Sequence, residues 1–130
     1  MERRRISSGA SFEERVGYSR AVRIGPHMWI AGTAPIMPDG ADPPADAYGQ
    51  AKRCLEIVAS ALEQAGGSLA DVVRTRCYLT DAGAFDGFGK AHGEAFSDIR
   101  PANTTVVVAA LLDPRWLLEI EVEAVVTAPD

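Results

Sequence analysis

From residue 46 to residue 65 the chain carries one apolar stripe: Ala51, Cys54, Leu55, Val58 and Leu62 stand at i, i+3, i+4, i+7 and i+11. That spacing describes a helix with a single face to bury. Gly66-Gly67 ends it, because glycine accepts the left-handed conformation at a helix terminus. A one-sided helix of this length needs a second layer to cover its stripe.

Strands supply that layer. Residues 19–24 and 28–33 read as a hairpin turning at Gly25-Pro26-His27. Residues 72–80 read as a strand with Val73, Cys77 and Leu79 on one face and Arg74, Arg76 and Tyr78 on the other. Thr80 or Asp81 caps a second helix, which runs to Phe96 with Phe85, Phe88, His92 and Phe96 on one stripe. Gly83, Gly87, Gly89 and Gly93 weaken it by ~1 kcal/mol each against alanine. Tertiary packing must therefore hold it, and its small residues suit a close approach to a sheet. Residues 103–110 and 117–127 complete the strands. The order β-β-α-β-α-β-β predicts an α+β domain, one mixed sheet with two helices on one face. Val106 and Val107 point to opposite faces of their strand, so part of the uncovered face is apolar and is expected to be a subunit interface.

The 130 residues fit one domain, with residues 1–12 a flexible or extended lead-in. Arg3, Arg4 and Arg5 read as a solvated, mobile start. Net charge −5 and pI about 5.0 oppose binding to a phosphate backbone, so no nucleic-acid partner is expected. Ile6-Ser7-Ser8-Gly9 is not the apolar run of a secretory leader, and no stretch approaches a membrane span of ~20 apolar residues. The expectation is a cytoplasmic protein without a membrane partner. Cys54 and Cys77 stand singly and read as reduced, buried thiols. Two His and two Cys, scattered, show no metal-ligand spacing.

Five motifs then appear in order: GYSRAVR (17–23), IAGTAP (30–35), RTRCYLTD (74–81), RPANTTV (100–106) and EIEVEAVV (119–126). Together, over residues 13–127, they resemble the reactive-intermediate deaminase (Rid) family. The resemblance implies a chorismate-mutase-like fold and a homotrimer with ligand clefts shared between neighbouring subunits. It also implies hydrolysis of enamines and imines such as 2-aminoacrylate to 2-keto acids and ammonia, with no metal and no organic cofactor. The family's aromatic, glycine and glutamate positions map to Tyr18, Gly32 and Glu121. Its carboxylate-binding arginine maps to Asn103, and the cysteine-like position two residues later maps to Thr105.

Asparagine offers a neutral amide where the family has a planar, charged fork. Hydrogen bonds to charged partners contribute about 1.5–3 kcal/mol, against about 1 for neutral ones. Binding of a 2-imino acid is therefore expected to weaken tenfold or more. Arg20, two residues after Tyr18, is a replacement candidate, set against an exposed or interface role. Glu119, Glu121 and Glu123 repel one another unless Arg74 and Arg76 face them from a neighbouring strand, and that structural role is the reading for Glu119 and Glu123. A carboxylate at Glu121, partly desolvated in a cleft, suits proton transfer to and from water. His92 reads as a packed histidine with one hydrogen-bond partner rather than a base, and Cys77 as core.

Two functional readings stand side by side. One is a hydrolase of a C–N bond in a small metabolite, with Glu121 moving protons and Tyr18, Arg20, Gly32, Asn103 and Thr105 holding the ligand. The other is a trimeric binding module without turnover. An RNA-cleaving or translation-inhibiting role ranks below both, on charge.

Overall fold

The computed structural model describes residues 1–127. It contains six strands and three α-helices: β1 Arg3–Ile6, α1 Ser11–Val16, β2 Ala21–Ile24, β3 His27–Thr33, α2 Ala47–Gln64, β4 Val72–Leu79, α3 Phe85–Phe96, β5 Ala102–Val107 and β6 Leu118–Val125. One mixed sheet runs in the order β1-β2-β3-β6-β4-β5. Only the β4–β5 pair is parallel, with α3 as its crossover. The architecture is the expected α+β one, and the single sheet carries its helical layer on one face.

The N-terminal segment departs from its reading as a mobile start. Arg3–Ile6 pairs antiparallel with β2, Arg5 opposite Val22 and Ile6 opposite Ala21. Arg4 also donates to the Gln64 carbonyl at the end of α2. The arginines stay exposed while their backbone extends the sheet, so the element count rises by a strand and, with α1, a helix.

Helix α2 forms where its stripe places it. Asp46 caps it by accepting from the Gly49 amide at 2.8 Å, and Gly66 follows at φ +89°. Ala51, Cys54, Leu55, Val58 and Leu62 are all buried. Each larger apolar side chain contributes about 1.5–3 kcal/mol on burial. They meet Met28, Ile30, Ile120 and Val122 from the sheet and Phe88 and Phe96 from α3. Phe85 is on the rim at 52% exposed, so the α3 stripe is narrower than its sequence spacing implied. Of the α3 glycines only Gly87 marks a close approach, and to a different neighbour from the one expected. A Cβ at Gly87 would meet the Tyr48 amide nitrogen at 2.8 Å, so the close approach is to α2 and not to the sheet.

The β4 pattern also needs correcting. Val72 is 3% exposed and Val73 46%. The ladder to β6 shifts register between Val72 and Arg74, and this bulge inserts Val73 as an extra residue. From Thr75 onward alternation is regular, with Thr75, Cys77 and Leu79 buried and Arg76 and Tyr78 on the uncovered face.

Candidate functional site

The uncovered face brings three carboxylates of β6 opposite two arginines and a tyrosine of β4. Arg74 faces Glu123, Arg76 faces Glu121 and Tyr78 faces Glu119. Arg76 Nη1 is 2.8 Å from Glu123 Oε1 and 3.7 Å from Glu121 Oε2. The Tyr78 hydroxyl donates to Glu121, which holds the phenol above its ordinary pKa range. The cross-strand compensation expected from period-two charges is thus in place, with Glu121 inside it.

Glu119, opposite Tyr78, takes no part in these ion pairs. Among the described residues it has no hydrogen bond or ion pair. Burial raises its pKa, Arg20 pulls it back and Glu121 raises it further. Its carboxylate lies against Gly32, where an added Cβ would sit 2.6 Å from Oε2. The glycine belongs to an irregular stretch of β3, between Ile30 and Thr33, where the pairing to β6 shifts.

Glu119 and Gly32 stand in the wall of a cavity of about 1020 Å³ that is open to solvent. Tyr18 and Arg20 line it too, as do Ser8 and Phe12 from the N-terminal segment and Ile36 to Pro38 from the loop after β3. Leu112 and Trp116 reach it from the connection between β5 and β6.

Arg20 is neither exposed nor free. It is 7% exposed, and Nη1 donates to the Gly32 carbonyl at 2.9 Å and to Thr33 Oγ1 at 2.8 Å. Its Nε is 3.8 Å from Glu13, and its guanidinium lies 5.8 Å from the centre of the Tyr18 ring. Glu13, also buried, accepts from the Ser8 amide and hydroxyl. Burial pushes the Glu13 pKa up, yet the bonds from Ser8 and Ser7 and the Arg20 charge outweigh it and hold it below its ordinary value.

Asn103 and Thr105 are elsewhere. They lie on the edge strand β5, opposite Thr75 and Cys77, and so point to the helix side of the sheet. Thr105 Oγ1 donates to Asn103 Oδ1 at 3.0 Å, and Asn103 Nδ2 donates to Thr75 Oγ1 at 3.0 Å. Thr75 Oγ1 is 2.8 Å from His92 Nε2. Burial lowers the His92 pKa, and its ring packs between Phe88 and Phe96. That is a packed histidine with one partner, as its place in the stripe implied.

One chain therefore gathers Tyr18, Arg20 and Gly32 at the cavity, puts Glu121 in the charge ladder and leaves Asn103 and Thr105 on the far edge. Glu119 is the cavity carboxylate, and the compensation expected for it and Glu123 falls instead on Glu121 and Glu123. Three carboxylates face two arginines, and the register that sets Glu119 opposite Tyr78 decides which one stays unpaired.

The family model for endoribonuclease L-PSP matches residues 9–126. An uncharacterized protein of Streptomyces coelicolor is 36% identical over 121 residues, covering 93% of this chain and 90% of its own. A RutC family protein of Pyrococcus abyssi is 38% identical over 109 residues, covering 83% and 84%. Among solved structures, Rv2704 of Mycobacterium tuberculosis, of the YjgF/YER057c/UK114 family, superposes with a TM-score of 0.88 at 46% identity, covering 96% of this chain and 100% of that one. RidA of an Antarctic Psychrobacter superposes at 0.79 with 29% identity, covering 94% of both.

Proposed function

The chain belongs to the endoribonuclease L-PSP family, the YjgF/Rid proteins, and from that premise we propose that it hydrolyses an imine or enamine C–N bond of a small metabolite and is weak on 2-imino acids. The observation that carries this reading is the state of Asn103. It presents a neutral amide fixed between Thr75 and Thr105. Arg20, the replacement candidate, gives its donors to β3.

The reaction adds water across the C=N bond, after which the C–N bond breaks and ammonia leaves with a carbonyl product. Glu121 takes the proton from the attacking water and returns it to the departing nitrogen. Asn103 and Thr105 hold the ligand by neutral hydrogen bonds, and Tyr18 and Gly32 form the opposite wall. These residues meet only if the β5 edge of one copy closes the cavity of another, which supports a homotrimer with the uncovered sheet faces inward. Trp29 is 43% exposed and Val106 is 43% exposed on that face, apolar area that suits such an interface. The reading requires no metal and no cofactor. Net charge −5 disfavours an RNA substrate, whatever the family model's description.

A second reading, a binding module without turnover, has one observation in its favour: Glu121 is engaged by Tyr78 and Arg76. Ammonia release from a panel of amino-acid-derived imines separates the two. Release that Glu121→Ala abolishes supports hydrolysis. No release across the panel, with a small molecule still bound, supports the module.

A further inference from the structure

The uncovered sheet face sets three carboxylates against two arginines, and the unpaired one is Glu119. Its two neighbours share Arg76. Glu119 instead looks into the cavity, over a glycine whose missing side chain gives it room. Arg20 stands close, but two of its donors are turned onto Gly32 and Thr33. The other ion pair lining the cavity compensates itself. Arg53 Nη1 is 3.7 Å from Glu56, and Arg53 Nε donates to the Ile36 carbonyl at 2.7 Å. What remains for a ligand is one acceptor-only anion over Gly32, with its pKa raised by burial and so poised to gain most from a donor.

We propose that Glu119 is a ligand-binding residue of this cavity, and that it takes a ligand presenting a protonated nitrogen, iminium or ammonium, beside Gly32 rather than a carboxylate. As a statement about substrate class this rests on the hydrolytic reading above, since an imine protonated on nitrogen is the species that water attacks. It assigns Glu119 the contact to that nitrogen and leaves proton transfer to Glu121. A cation held against a carboxylate gains a charge-assisted hydrogen bond.

The test is an amide NMR titration of the full-length protein with n-propylammonium and, separately, with propionate. The expected result is that n-propylammonium shifts the Ala31, Gly32 and Thr33 amides, that propionate does not, and that Glu119→Gln weakens ammonium binding at least fivefold with its thermal midpoint unchanged. Propionate binding at these amides as tightly as n-propylammonium overturns the proposal, with no variant required. So does ammonium binding that Glu119→Gln leaves intact. The hydrolytic reading fails separately: ammonium binding that depends on Glu119, with no imine in the panel turned over, removes the enzyme and keeps the site.

Discussion

Arg20 Nη1 donates to Thr33 Oγ1 at 2.8 Å, and this bond joins the start of β2 to the end of β3 underneath the cavity. It makes Arg20 a structural cation with little left for an anionic ligand. Arg20→Met removes the bonds to Gly32 and Thr33 and leaves the buried Glu13 without its cation. The expected loss is about 3 kcal/mol of unfolding free energy, the scale for breaking a buried charge pair, read from urea denaturation. A variant as stable as the parent removes the structural role.

Glu13 makes part of the stability depend on acid. Its pKa is lower in the fold than the ordinary 4.5, so the unfolded chain binds the proton more readily. The contribution is complete above that ordinary value and is lost as pH falls through it toward the folded value. Thermal midpoints measured from neutral pH down to about 3 should fall less steeply for Glu13→Gln than for the parent. Parallel curves contradict the assignment.

Two glycines of α3 should respond in opposite senses to alanine. At Gly87 the new Cβ meets the Tyr48 backbone nitrogen at 2.8 Å and the Ala47 Cβ at 3.1 Å, atoms that cannot swing aside. Overpacking of about 1–3 kcal/mol then exceeds the helix-propensity gain of about 1. At Gly89 nothing lies within 4 Å, and the propensity gain stands alone. Chemical denaturation should show Gly87→Ala destabilised and Gly89→Ala stabilised by up to about 1 kcal/mol.

How much of this was legible in the sequence follows a physical line. Helix α2 was readable because its apolar period, cap and stop all come from nearby residues. The opposition of the β4 arginines to the β6 carboxylates was readable because strand period fixes faces and charge balance fixes neighbours, but it was expected at Glu119 and Glu123 and falls at Glu121 and Glu123. Val73 was misplaced because a bulge shifts alternation by one residue, and nothing local announces it. Arg3–Arg5 looked mobile because strand β1 is stabilised by pairing to β2, not by its own apolar pattern. The resemblance supplied Tyr18, Gly32, Glu121 and Asn103 as candidates, yet their distribution over two distant parts of one sheet follows from strand order. The isolation of Glu119 depends on the β4–β6 register, which sets it opposite Tyr78 rather than an arginine.

Cys54 and Cys77 are both fully buried, and burial pushes their thiols up, that of Cys77 to about 12. The reactive thiolate is therefore scarce in the fold. Neither should react with Ellman's reagent in the native protein, and both should react once it is unfolded in guanidinium. Rapid labelling of the native protein contradicts their burial.

The central claim is that a neutral amide at Asn103 leaves the cleft without a carboxylate clamp. The most direct measurement is kcat/KM for 2-aminoacrylate, generated in situ, with the parent and Asn103→Arg side by side. The variant should exceed the parent by tenfold or more, the scale of a charge-assisted bond gained over a neutral one. A parent that clears 2-aminoacrylate as fast as Asn103→Arg, at a rate that Glu121→Ala abolishes, contradicts it.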